Sequence, residues 1–86
     1  MDKKNQIKEI IISVLELETS VSEFADENII ELYGINSVDA LEILLNVEEE
    51  YSIQIDEDDL SVELIDSILK LYSYVEGKLN AKQEQQ

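Results

Sequence analysis

Residues 34–51 read G-I-N-S-V-D-A-L-E-I-L-L-N-V-E-E-E-Y, and this stretch most limits what the chain can fold into. From Ser37 onward, apolar residues recur at helical spacing with carboxylates between them. At about 100° per residue, Val38, Ala40, Leu41, Leu44, Leu45, Val47 and Tyr51 share one broad arc, and Asp39, Glu42, Asn46, Glu49 and Glu50 share the opposite one. A helix patterned this way must bury its apolar side, so the rest of the chain is read as helices packed against it. Two residues resist the pattern. Glu48 falls on the apolar side, where periodicity does not explain it. Ile43 falls beyond the acidic arc, where it is expected to be exposed. Gly34 supplies the φ > 0 that a chain needs before a sharp change of direction.

The flanking segments carry matching patterns. Over residues 3–18, Ile7, Ile10, Ile11, Val14 and Leu15 follow i, i+3, i+4, i+7, i+8, one face of a first helix. Residues 19–36 are less regular, with Thr19, Ser20, Ser22, Asp26 and Asn28 as breakers and turn formers. Val21, Phe24, Ile29, Ile30 and Leu32 are scattered through them, so this connection is expected to cross the core and to contain a short helical turn. After Tyr51, S-I-Q-I alternates for only four residues, too short for an independent sheet. Asp56 then reads as the N-cap of one or two helical turns with acids at their start. Asp66 reads as the cap of a final helix that buries Ile68, Leu71, Tyr72, Val75 and Leu79. The polar residues 80–86 are expected to fray. The prediction is an all-α chain: a small four-helix bundle of three longer helices and one short one, forming a single domain over residues 1–86 with its core at about 5–79. No proline and only two glycines interrupt it.

Charge and composition narrow the chemistry. The net charge is −15, and all six cations are lysines: Lys3, Lys4, Lys8, Lys70, Lys78 and Lys82. Of the 21 acids, all but Asp2, Glu76 and Glu84 lie between Lys8 and Lys70, an interval with no cation. Such a middle repels nucleic acid and anionic membrane and attracts basic protein surfaces, or simply keeps the chain solvated. No apolar run can span a bilayer and the N-terminus lacks a secretory h-region, so a cytoplasmic location is expected; the chain is read as a monomer. The chain has neither His nor Cys, which removes Ser-His-Asp and Cys-His catalysis and the commonest metal ligands. The acidic run at 56–59 fails as an EF-hand, because Leu60 and Ser61 stand where an oxygen ligand and glycine are needed. No catalytic residues and no metal site are assigned, and the chain is read as a non-enzyme.

Ser37 has two readings. A serine opening an amphipathic helix is an N-cap whose hydroxyl accepts a first-turn N–H. The same position is exposed, at the positive end of the helix dipole, and suited to carrying a phosphodiester.

The run Gly34-Ile35-Asn36-Ser37-Val38, followed by Asp39, Leu41, Glu42 and V-E-E-E-Y at 47–51, resembles the signature of acyl carrier proteins, Gly-x-Asp-Ser-Leu/Val. The similarity continues through Ile53, Ile55 and the acidic turn to the last helix. The resemblance implies that Ser37 carries 4′-phosphopantetheine, whose thiol would hold acyl or aminoacyl groups as thioesters in a chain without cysteine. Val38, Asp39, Glu42, Leu45, Glu48 and Glu49 resemble the family's partner-recognition positions. The implied partners are a phosphopantetheinyl transferase, a loading ligase and downstream biosynthetic enzymes with basic docking patches, of fatty acid, polyketide or antibiotic pathways. Ile11, Leu15, Leu41, Leu44, Ile68 and Leu71 are candidates to line an acyl slot. One position departs: the family's usual Asp before the serine is Asn36, which bears on how the synthase holds magnesium and points to a dedicated pathway carrier. The rival reading is an unmodified acidic helical module that binds or inhibits a basic protein partner.

Overall fold

The computed structural model describes residues 2–84. Four α-helices follow in order: α1 (Lys3–Leu15), α2 (Ile29–Tyr33), α3 (Ser37–Tyr51) and α4 (Ile68–Glu84). Single 3-10 turns lie between them at Val21–Glu23, Glu57–Asp59 and Val62–Ile65. This is the predicted set of three long helices and one short one, and no strand forms among the described residues. The S-I-Q-I alternation stays irregular; it packs Ile53 against the core and drops Ile55 into it. α4 continues to Glu84, past the point at 80 where fraying was expected; Gln85 and Gln86 lie outside the described residues.

The first three helices stop in the same way. Glu16, Gly34 and Ser52 each take the left-handed conformation, at φ of 54°, 61° and 52°. The next residue in each case sends its N–H back five positions: Leu17 to Ile12, Ile35 to Ile30, Ile53 to Glu48, all at 3.0 Å. This closure satisfies orphan carbonyls, and the following apolar residue turns onto the core. Only one of the three stops uses glycine, so the other two carried no glycine signal in the sequence.

The core gathers Ile7 and Ile11 of α1, Ala40, Ile43, Leu44 and Val47 of α3, and Ile68, Leu71 and Val75 of α4. Phe24, Ile29, Ile35, Ile55, Leu64 and Ile65 plug it from the connections. α1 packs against both α3 and α4, while the Val62–Ile65 turn closes against α2, α3 and α4. Asp66 does not cap the final helix as predicted. Its carboxylate accepts the Ile30 N–H at 3.2 Å and its carbonyl the Ile29 N–H at 3.2 Å, so it caps α2 across the chain. Ser67 takes the role at α4, accepting the Lys70 N–H at 3.3 Å. With Ile68 N–H donating to the Asp26 carbonyl at 2.9 Å, residues 26–30 and 66–68 are sewn together. That stitch fixes the approach to Gly34, and so the place where α3 begins.

Candidate functional site

At the start of α3 the cap is Asn36, not Ser37. Asn36 has extended backbone (φ −94°, ψ 176°), and its side-chain oxygen accepts the Asp39 N–H at 2.8 Å. Ser37 is the first residue inside the helix. The asparagine wins because Gly34 and Ile35 complete the preceding helix stop, leaving position 36 as the extended residue at which a cap must sit. Ser37 is exposed, and among the described residues its hydroxyl has no hydrogen-bond partner. The only acid in the first turn is Asp39, and the helix runs for 15 residues behind it. An exposed, unengaged hydroxyl at the positive end of such a helix, next to a neutral Asn36, suits a phosphate ester.

The buried side of α3 is rotated from the one the periodicity suggested. Ile43, expected to be exposed, is fully buried, whereas Val38, Leu41 and Leu45 are 73 %, 47 % and 51 % exposed. Apolar residues run so far round this helix that their mean direction does not locate the core. α1 and the Val62–Ile65 turn choose the side centred on Ala40 and Val47, which takes Ile43 in on one shoulder. What remains outside is a stripe, Val38, Glu42, Leu45, Glu49, at i, i+4, i+7, i+11. These four recognition candidates share one outward face of α3, running away from Ser37 for about 18 Å along the helix. Asp39 stands at the flank, half-buried. Glu48 turns aside: its carboxylate accepts the Ile55 N–H at 2.6 Å, which explains its place off the acidic arc. Among the described residues none of the α3 carboxylates is paired with a cation; the ion pairs there join Lys3 to Glu76, Lys8 to Asp26 and Lys78 to Asp56.

Beside Ser37 lies a cavity of about 140 Å³, lined by Ser37, Ala40, Leu41 and Leu44 of α3 and by Leu60, Ser61 and Val62. Of the six residues proposed for an acyl slot, only Leu41 and Leu44 line it. Ile11, Ile68 and Leu71 are packed into the core, and Leu15 lies at its margin. The wall at 60–62 was missed because Leu60 and Ser61 are irregular and Val62 opens a single 3-10 turn, too short for periodicity to report side-chain direction.

That segment is tied down by polar contacts. Asp56 was read as a helix cap, but its side chain makes no cap bond; it pairs with Lys78 Nζ at 2.9 Å. The Tyr74 hydroxyl donates to Asp59 at 2.8 Å, and burial together with this bond raises its pKa above the ordinary 10.0. The Asp56 bond raises that of Lys78. Among the described residues no group of three or more carboxylates is placed to hold a metal ion, and no helix is long and apolar enough to cross a membrane.

A family model described as a phosphopantetheine attachment site matches residues 5–75, most of the chain. No solved structure gives a significant match.

Proposed function

The chain belongs to the phosphopantetheine-attachment family of acyl-carrier-like domains, whose members bear a covalent 4′-phosphopantetheine, and from that premise we propose that Ser37 is the attachment residue. Its role is that of a phosphopantetheine carrier. The observation that carries the assignment is the division of labour at the start of α3: Asn36 does the capping, and Ser37 keeps an exposed hydroxyl with no hydrogen-bond partner among the described residues. Bound there, the group supplies a thiol that this cysteine-free chain lacks, and with it the capacity to hold acyl or aminoacyl groups as thioesters.

The chain's own residues do the rest. The first-turn amides of α3 favour an anion at Ser37 through the helix dipole. The Val38–Glu42–Leu45–Glu49 stripe meets partner enzymes that display basic residues around an apolar spot. Its acids draw those partners in and raise the on-rate more than the lifetime of the complex, which suits a carrier that every enzyme must release. The small apolar cavity beside Ser37 shelters part of the cargo between visits. These partners are a phosphopantetheinyl transferase, a loading enzyme and the biosynthetic enzymes that follow it.

The test is intact mass after incubation with a promiscuous phosphopantetheinyl transferase and coenzyme A. The wild-type chain gains one phosphopantetheine and Ser37→Ala gains none. An unshifted wild-type mass, or a Ser37→Ala protein that is still modified, rules out the assignment.

A further inference from the structure

The wall of the Ser37 cavity that faces α3 is a loop end, at Leu60, Ser61 and Val62. A loop wall yields easily unless other elements hold it. This one is anchored after Val62 by Leu64 and Ile65 in the core, and before Leu60 it is held from α4, by side chains that do not line the cavity. The Tyr74 hydroxyl accepts the Asp56 N–H at 3.3 Å and donates to the Asp59 carboxylate at 2.8 Å, spanning the Glu57–Asp59 turn from one end to the other. Lys78 Nζ pairs with Asp56 at 2.9 Å and lies 5.6 Å from the centre of the Tyr74 ring. On the near side, Glu48 fixes the Ile55 N–H where the segment leaves α3. The stretch from 56 to 62 is therefore pinned before it reaches the cavity, and its last residues form the wall.

We infer that Tyr74 and Lys78 are a latch on residues 56–62 that sets the size of the Ser37 cavity and so fits the latched carrier to a short acyl group. The inference rests on the carrier reading above. The cavity is partly open to solvent, and its volume of about 140 Å³ is close to the roughly 150 Å³ apolar cavity that accepts a single benzene, so it covers about four to six carbons of a chain. A longer chain is covered along its length only if the wall at 60–62 moves outward, and that motion pulls Asp56 and Asp59 away from α4. Tyr74 and Lys78 are positioning residues: they touch neither Ser37 nor the cavity interior, and they act through the backbone of the turn.

The test compares wild type with Tyr74→Phe and, as a second variant that leaves the tyrosine ring in place, Lys78→Gln. Each is converted to its phosphopantetheine form and loaded with butyryl, hexanoyl, octanoyl or dodecanoyl groups, and thioester cleavage by hydroxylamine is timed. Wild type protects butyryl and hexanoyl relative to dodecanoyl by on the order of tenfold, the scale set by withdrawing two methylenes from water. In both variants protection extends to octanoyl and dodecanoyl. In the unmodified protein, amide exchange at Asp56 and Leu60 is faster in Tyr74→Phe than in wild type, a readout independent of any cargo. A chain-length profile identical in all three proteins, or a uniform loss of protection at every length, overturns the latch and leaves the carrier reading standing. A wild-type chain that accepts no phosphopantetheine defeats the carrier reading, and the cargo role of the latch with it.

Discussion

Asn36 and Ser37 are neighbours with opposite duties. The asparagine oxygen holds the Asp39 N–H, so removing it leaves a first-turn donor without its partner. Asn36→Ala is expected to cost about 0.5–2 kcal/mol, the usual loss for a helix N-cap. Ser37→Ala, by contrast, removes an exposed side chain with no hydrogen bond and should stay within about 0.5 kcal/mol of wild type. Chemical denaturation of the two variants side by side checks this; equal losses would mean the serine shares the cap. The sequence placed the turn before α3 correctly but assigned the helix cap to Ser37, where Asn36 takes it. Both residues are good caps, and the choice depends on where the preceding turn ends. That point is set by the Ile35 N–H bond to Ile30 and by the stitch from Asp66, neither of which is local to residues 36 and 37.

At the scale of the element, α3 works on two sides at once. Ala40, Ile43, Leu44 and Val47 hold it in the bundle, while Val38, Glu42, Leu45 and Glu49 stand exposed on the outward side. The inward set bears on stability; the outward set is the one the carrier proposal gives to partner encounter. Replacing Glu42 and Glu49 together by lysine should lower kcat/KM for a phosphopantetheinyl transferase by about tenfold or more at low salt. The same change should leave unfolding free energy within about 0.5 kcal/mol. Steady-state kinetics at two ionic strengths, with a thermal melt alongside, separates the two effects, and an unchanged kcat/KM would move recognition to another surface. The helix itself was plain in the sequence, because a sustained 3.6-residue period needs only local information. Its orientation was not. With apolar residues at 38, 40, 41, 43, 44, 45 and 47, several rotations bury similar apolar area, and the packing of α1 and the Val62–Ile65 turn selects one.

On the whole molecule, the governing quantity is charge. A net −15 is folded into a body with a radius of gyration of 12.4 Å, close to the about 12 Å of an ordinary compact chain of this length. Three lysines are spent on ion pairs away from α3, one each with Glu76, Asp26 and Asp56. The α3 carboxylates are left to repel one another and the acids around them. Raising ionic strength from about 10 mM to 150 mM shortens the Debye length from roughly 30 Å to 8 Å. The melting temperature should then rise by roughly 4–8 °C, the equivalent of about 1 kcal/mol in a domain of this size. Calorimetry across a salt series measures it, and a flat response would show that the carboxylates are already far enough apart.

The amino-acid sequence alone determined the helical class, the number and order of the long helices, the acidic middle and the serine on which the functional reading turns. Each of these follows from spacing, composition or a contiguous motif, which are properties of neighbours along the chain. The tertiary structure decided which side of α3 faces inward, which residue caps it, that Glu48 and Asp66 serve distant backbone, and that the cavity beside Ser37 is walled by Leu60, Ser61 and Val62. Those outcomes depend on contacts between segments far apart in sequence, and the free energy that selects among them exists only once the helices have met.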